Sequence, residues 1–227
     1  MSGLKTVLEK VKLELIEKDK IKDDAYEKMR KATSLSKQSI LLIHQKRLEE
    51  ARKAISDAEE IITALQAFAE DCPEIVYGGM FSAALQEYSE ANILLKLLEE
   101  SVFVSAENIK VPSGDYVLGL ADVVGELRRL ALDALREGEV KKAEKWLGIM
   151  DEIYIELLAL DEAYMLVSGL RHKNDIARRI IETTRGDVTQ EVRRKSLEEY
   201  LKRFEQAQKR KHKPSKGKPD EKDAKKS

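Results

Sequence analysis

Cysteine, proline, glycine and aromatic residues are all scarce in this sequence. Its 227 residues include one cysteine, four prolines and eleven glycines, and aromatic residues make up 5% of it. The single cysteine, Cys72, excludes an internal disulfide framework, and we interpret it as a small buried hydrophobic residue. Few prolines and glycines mean few helix breakers. Few aromatic residues argue against a nucleic-acid surface built on base stacking.

Long apolar runs are also absent. No run approaches the roughly 20 apolar residues that a helix needs to cross a bilayer, so we expect no membrane-spanning segment and no membrane partner. The opening stretch MSGLKTVLEKVKLELIEKDK carries charges throughout and does not have the pattern of a secretory signal. We therefore expect a cytoplasmic protein.

The residues that are abundant favour helix. Charged residues make up 37% and hydrophobic residues 42%, and Leu, Ala, Glu, Lys and Arg dominate. Apolar periodicity predicts an all-α bundle of about seven helices, with a loop near 102–114 and helix ends at Gly138 and Gly186. We divide the chain into a helical domain at 1–186, a helical extension at 187–210 and a basic disordered tail at 211–227.

The net charge of −1 conceals an asymmetry. Residues 209–227 contain nine basic and three acidic side chains, which leaves a net charge of −7 on residues 1–208. An acidic body argues against a protein that coats DNA through a dominant basic face. The tail is either a solubilising disordered end or a nonspecific nucleic-acid-binding arm.

One glutamate occupies an unexpected position in the segment FSAALQEYSEANILLKLL, residues 81–98. At helical spacing Glu87 falls in the middle of an apolar stripe, and Glu90 lies beside it. Removing water from an isolated carboxylate costs several kcal/mol, so Glu87 needs a partner. That partner is either an Arg or Lys from another helix or a metal ion. The stripe consists of Met80, Ala83, Ala84, Ala91, Leu94 and Leu98.

A second acidic pair lies in GDYVLGLADVVGELRRLAL. Asp122 and Glu126 stand four residues apart and project from one helical face. An ordinary polar stripe explains this pair when the helix is considered alone. Gly119 and Gly125 favour a site, because each costs about 1 kcal/mol in a helix and leaves room for a metal or a substrate.

Four such carboxylates around one point would repel one another unless a cation or protons neutralised them. Oxygen ligands favour Mg²⁺ or Mn²⁺. A site of this kind commonly supports phosphodiester hydrolysis. The rival di-iron site uses Glu-x-x-His pairs, which are absent before all three histidines. We interpret His44, beside an apolar patch, as a core histidine.

Three segments of this sequence resemble the translin superfamily over residues 20–185. They are LQEYSEA at 85–91, DYVLGLADVVGELRRLAL at 115–132 and LRHKNDIARRIIE at 170–182. The earlier segment KATSLSKQSILLIHQ fits the second helical region of that family. The resemblance implies a seven-helix subunit that assembles into a hollow hexamer or octamer, with active sites facing the internal cavity.

Within that superfamily, translin mainly binds nucleic acid, whereas translin-associated factor X supplies an Mg²⁺-dependent endoribonuclease site. The present chain has acids in both blocks and resembles the catalytic branch. The resemblance therefore implies metal-dependent hydrolysis of RNA. By this resemblance, the metal ligands we prefer are Glu87, Glu90 and Asp122, and Glu126 is expected to be a further ligand or to orient water.

Bases near the acids would offset the charge of the substrate. Arg129 and Lys37 are the candidates, although Arg129 could instead pair with Glu126 within its helix. The basic group Arg171, Lys173, Arg178 and Arg179 can equally pair with Asp175 and Glu182.

The expected partners are RNA, with single-stranded DNA as a second candidate, and further copies of this chain. The segment YGGMFSAAL offers no base before the first acidic block, which favours a translin-like partner chain as an option. Two other functions remain open: a non-catalytic nucleic-acid-binding oligomer, and a structural scaffold in which an Arg neutralises Glu87.

Overall fold

The computed structural model describes residues 3–69, 73 and 78–211, which form helices, short turns and a longer loop at 101–112, where the sequence predicted one. Cys72 and residues 212–227 of the tail lie outside these ranges. The all-α fold class predicted from the sequence is confirmed over the described residues. Their seven helices are α1 (Leu4–His44), α2 (Leu48–Phe68), α3 (Gly79–Glu99), α4 (Ser113–Arg136), α5 (Val140–Leu158), α6 (Glu162–Leu166) and α7 (Leu170–Lys211).

Helices α1 and α2 form an antiparallel hairpin. Lys46 takes a φ of 62° in the turn between them, and the amide of Arg47 bonds back to the carbonyl of Leu42 at 3.0 Å. Residues 30–69 contain no Pro or Gly, yet this turn divides them between two helices. The first half of α1 is exposed, and its buried face begins at Ala25.

Helix α3 lies at the centre of the fold. It contacts α1, α2 and α4, and buried side chains surround most of its circumference. This placement explains why its sequence is more apolar than a one-sided amphipathic helix requires. The bulkiest of its fully buried side chains are Tyr88, Phe81, Ile93, Leu94 and Leu97.

Gly119 allows α4 to cross α3 at close range. A Cβ atom at this position would lie 2.6 Å from the carbonyl oxygen of Gln86 and 2.7 Å from Cβ of Ser89. The expectation that Gly119 leaves room for a metal or a substrate is wrong, because α3 itself fills that space. No heavy atom lies within 4 Å of the corresponding position at Gly125.

Two glycines lie at helix boundaries, and a third lies inside a helix. Gly138 follows α4 with a φ of 77°, as predicted, and Gly169 precedes α7 with a φ of 87°. Gly186 was expected to end a helix, yet α7 runs through it to Lys211. A glycine inside a helix destabilises it by about 1 kcal/mol. The buried side chains on either side of Gly186, Ile181 and Val188, offset this loss. None of the described helices is long and apolar enough to cross a membrane.

Candidate metal centre at the crossing of two acidic helices

The crossing of α3 and α4 brings the four predicted acids together. Glu87 and Glu90 lie on α3, and Asp122 and Glu126 follow Gly119 on α4. A Cβ atom at Gly119 would stand 3.2 Å from the backbone nitrogen of Glu90, so the two backbones nearly touch beside these side chains. The charges of the other three carboxylates all act on Glu90. The grouping that the sequence predicted is therefore present.

Glu90, rather than Glu87, is the buried acid. Its residue is only 8% exposed, whereas the side chain of Glu87 is 27% exposed. The expectation that Glu87 is buried within the apolar stripe is wrong, because the stripe is not buried along its whole length. Met80 and Ala83, which precede Glu87 on that face, are exposed. Burial, and then the charges of Asp122, Glu87 and Glu126, raise the pKa of Glu90 to about 8.

Glu87 meets a base from α1. Nζ of Lys37 lies 3.2 Å from Oε1 of Glu87. The structure thus contains an ion pair between helices, which was one of the two partners expected for Glu87. The Lys37 side chain is 62% exposed, and an ion pair this open contributes little stability. Its ammonium can leave Glu87 at small cost.

Lys173 of α7 is a site residue that the sequence reasoning offered only within a basic group. Its ammonium donates to Oδ2 of Asp122, to Oε1 of Gln86 at 3.0 Å and to the carbonyl of Leu118 at 3.3 Å. The alternative pairing with Asp175 is not the one observed. Its position in the helical repeat could have indicated this role, since Lys173 falls between Leu170 and Ala177 on the buried face of α7.

His44 is the second residue that the sequence reasoning left out of the site. Its Nε2 lies 2.5 Å from Oε2 of Glu126, and its side chain is 2% exposed. The core-histidine interpretation is correct about burial, but it missed the partner. The spacing of the two residues could have predicted that His44 faces the acids, because it follows Lys37 by seven residues and projects from the same face of α1.

Arg129 is not drawn into the cluster. It is exposed, and within the described residues it makes no hydrogen bond or ion pair with any of the four acids. Its expected partner Glu126 is bonded to His44 instead. The neighbouring Arg128 turns the other way, and its guanidinium donates to Oγ1 of Thr184 at 2.7 Å.

The ligand atoms that this cluster offers suit a hard divalent cation. Glu87, Glu90, Asp122 and Glu126 offer only carboxylate oxygens, which Mg²⁺ and Mn²⁺ prefer. Burial, and then the three neighbouring carboxylates, raise the pKa of Glu90 by more than the Lys173 ammonium lowers it. In the described ranges no three His, Cys, Asp or Glu side chains are arranged to hold a metal. Three acids are turned instead toward Lys37, Lys173 and His44.

Fold and site together define an all-helical protein with a carboxylate cluster between two crossing helices. Residues 20–207 match the model of the Translin family, so the chain belongs to this family. The predicted resemblance is confirmed, and the match extends past residue 185 along most of α7.

The chain is also similar to proteins of known sequence or structure. An uncharacterized protein of Methanocaldococcus jannaschii is 32% identical over 193 residues, which cover 84% of this chain and 85% of the relative. AfC3PO in complex with duplex RNA is 34% identical, with a TM-score of 0.72 over 81% of this chain and 95% of that one. Apo-NeC3PO, at 22% identity, has the same fold, with a TM-score of 0.73 over 81% of this chain and 96% of that one.

Proposed function

We propose that this protein is a metal-dependent endoribonuclease that hydrolyses RNA phosphodiester bonds at the acid cluster between α3 and α4. The observation that carries the proposal is Glu90, a buried carboxyl surrounded by three other carboxylates from two helices. Such a group must either hold a proton or share its charge with a cation, and its place among three carboxylates is typical of a cation site. A relative solved with duplex RNA supports the choice of substrate class.

Glu87, Glu90 and Asp122 would hold Mg²⁺ or Mn²⁺, and Glu126 would be a fourth ligand or would orient the attacking water. A bound divalent ion of this kind polarises phosphoryl oxygens and generates a nucleophile from water at neutral pH. The protein's own part is to hold the other three carboxylates around Glu90. The close crossing at Gly119 fixes the distance between the two pairs.

Lys37 and Lys173 have a second task in this proposal. Each is an ammonium group paired with an acid of the cluster. With a divalent ion bound to those carboxylates, the two ammonium groups would be free to neutralise the phosphates of the substrate. This exchange also explains how a net-acidic body can accept a polyanion.

The active form in this proposal is a self-assembled hollow hexamer or octamer whose sites face the cavity, and a translin-like partner chain is an alternative composition. Exposed apolar side chains near the end of α7 support self-association. They are Leu197, Tyr200, Leu201 and Phe204.

Cleavage of a labelled RNA in Mg²⁺, Mn²⁺ or EDTA tests the proposal, with labelled single-stranded DNA as a second substrate. The double variant Glu87→Ala/Asp122→Ala should assemble normally and lose metal-dependent cutting. Glu60→Ala, at an exposed acid of α2, is the matched control and should cut like the wild type. An assembled wild type that cuts no RNA in either metal would refute the nuclease proposal.

The second candidate function is a non-catalytic RNA-binding oligomer. The pairing of Glu87 with Lys37 and of Asp122 with Lys173 favours it, because acids already held by bases need no metal. This candidate predicts RNA retention without turnover that is unchanged in Glu87→Ala.

A further inference from the structure

A groove of about 430 Å³ runs between α1 and α3 beside the acid cluster. One wall is polar and comes from α1, and the other is apolar and comes from α3. Of the residues that line the groove, the proposed function uses only Lys37. The lining side chains are Arg30, Thr33, Ser34, Lys37, Met80 and Ala83.

One of the two positive charges of this groove, that of Arg30, is not balanced by the fold. Arg30 is exposed and makes no ion pair within the part of the chain that the structure describes. The partner of Lys37 is an acid of the cluster itself. Arg30, Ser34 and Lys37 lie on one face of α1 over two turns, or about 10 Å. That length is enough for more than one phosphate of a nucleic-acid strand.

The two hydroxyl groups of the polar wall are not equivalent. Oγ1 of Thr33 donates to the carbonyl oxygen of Met29 at 2.9 Å, so its proton is already used within α1. The exposed Ser34 has no hydrogen-bond partner among the described residues. Its hydroxyl can therefore donate to a ligand oxygen in the groove.

The groove leads directly to the carboxylates. Lys37 lies in its wall and also reaches to 3.2 Å from Oε1 of Glu87. On the opposite wall, Ala83 precedes Glu87 by one helical turn on α3. A strand lying in the groove would thus present its next phosphate to the acid cluster.

We propose that this groove binds the backbone of the RNA strand on one side of the bond to be cut. Arg30 neutralises a phosphate, Ser34 donates a hydrogen bond to the backbone, and Met80 and Ala83 contact the sugar. This inference rests on the proposed function for its substrate class. It assigns Arg30 and Ser34 as substrate-binding residues that set the position of the strand.

Binding of a short fluorescein-labelled RNA, followed by anisotropy in EDTA so that no hydrolysis occurs, tests this assignment. Arg30→Glu should weaken binding roughly tenfold, because a charge-assisted hydrogen bond contributes about 1.5 kcal/mol. It should also lower the slope of log K against log salt by about 1. Ser34→Glu should weaken binding in the same direction.

Lys31→Glu is the matched control. Lys31 is exposed, undergoes the same charge reversal and lies next to Arg30, but it projects about 100° round the helix from the groove. The expected result is a loss of binding in Arg30→Glu that is at least several times the loss in Lys31→Glu. Equal losses in the two variants, or none in either, would overturn the assignment.

The two proposals fail separately. A loss confined to Arg30→Glu in a protein that cuts no RNA would support the groove and refute hydrolysis. Metal-dependent cutting by the wild type, together with unchanged RNA binding in Arg30→Glu, would overturn the groove and support hydrolysis. A wild type that binds no RNA would overturn both.

Discussion

His44 and Glu126 form a buried contact that joins α1 to α4, with 2.5 Å between Nε2 and Oε2. Nδ1 of the same ring is buried and has no partner among the described residues. An unpaired N–H at Nδ1 would be costly, so the tautomer with its proton on Nε2 accounts for both atoms. The ring then donates to Glu126 and fixes one carboxylate oxygen, while the other oxygen stays available to the cluster.

The first prediction concerns this donor. His44→Leu should weaken Mn²⁺ binding by about tenfold or more, because a ligand loses the partner that orients it. His44→Gln, whose amide can still donate to Glu126, should retain most of the affinity. Titration calorimetry with Mn²⁺ measures both. Ser39→Ala is the control, since it removes a buried hydroxyl of the same helix that has no partner. Equal losses in Leu and Gln variants would contradict a donor role.

The second prediction concerns Lys173. The variant Lys173→Met removes the ammonium from Asp122 and should destabilise the metal-free protein by about 1–2 kcal/mol, because its three acceptors lose their donor. The same variant should bind Mn²⁺ more tightly, since no base competes for Asp122. Thermal unfolding with and without Mn²⁺ measures both effects. Lys142→Met removes an exposed pair with Glu139 and should change neither, as such pairs contribute little. Weaker Mn²⁺ binding in Lys173→Met would contradict competition.

The third prediction follows from the pKa of Glu90, which rises from an ordinary 4.5 to about 8 in the fold. Between these values the folded state holds a proton that the unfolded state has lost. In EDTA the free energy of unfolding should therefore fall as pH rises through this window, by a few kcal/mol at about 1.4 kcal/mol per pKa unit. Glu90→Gln cannot ionise and should remove this fall.

Urea unfolding at a series of pH values measures the effect, with Glu60→Gln as the control. A saturating concentration of Mg²⁺ should flatten the pH dependence of the wild type above neutral pH, because metal binding favours the ionised carboxylate. A Glu90→Gln protein with the same pH dependence as the wild type would show that another group causes it.

The fourth prediction separates two glycines of α4. Gly119→Ala places a Cβ atom 2.6 Å from the carbonyl oxygen of Gln86, so α3 and α4 must move apart. The expected loss of stability is about 1–3 kcal/mol, and Mn²⁺ binding should weaken with it. Gly125→Ala meets no atom within 4 Å and should gain up to about 1 kcal/mol from helix propensity. Urea unfolding of the two variants should give opposite signs.

Local patterns in the sequence were enough to predict most of the helices and which acids share a helical face, whereas the meeting of the two acidic pairs was favoured by the family resemblance. The spacing of Asp122 and Glu126 on one face needs no tertiary information. The burial of Glu90 could not be predicted in the same way, because it depends on how many sides of α3 its neighbours cover. The continuation of α7 through Gly186 likewise depends on tertiary packing.

The partners of the acids depend on contacts between residues far apart in the chain. Lys37 reaches Glu87 from α1, Lys173 reaches Asp122 from α7, and His44 reaches Glu126 across 82 residues. Charge alone offered Asp175 as an equally good partner for Lys173. Register on the buried face of α7 would have separated the two, which makes helical phase a better guide than charge here.

The central claim is that the four acids bind a divalent cation once Lys37 and Lys173 give way. Anomalous diffraction from crystals grown with Mn²⁺ tests it most directly. The account predicts a peak between α3 and α4, within about 2–2.5 Å of carboxylate oxygens of Glu87, Glu90 and Asp122. Lys37 and Lys173 should have turned away from them. Density without a peak at this crossing, and with both ion pairs intact, would contradict the account.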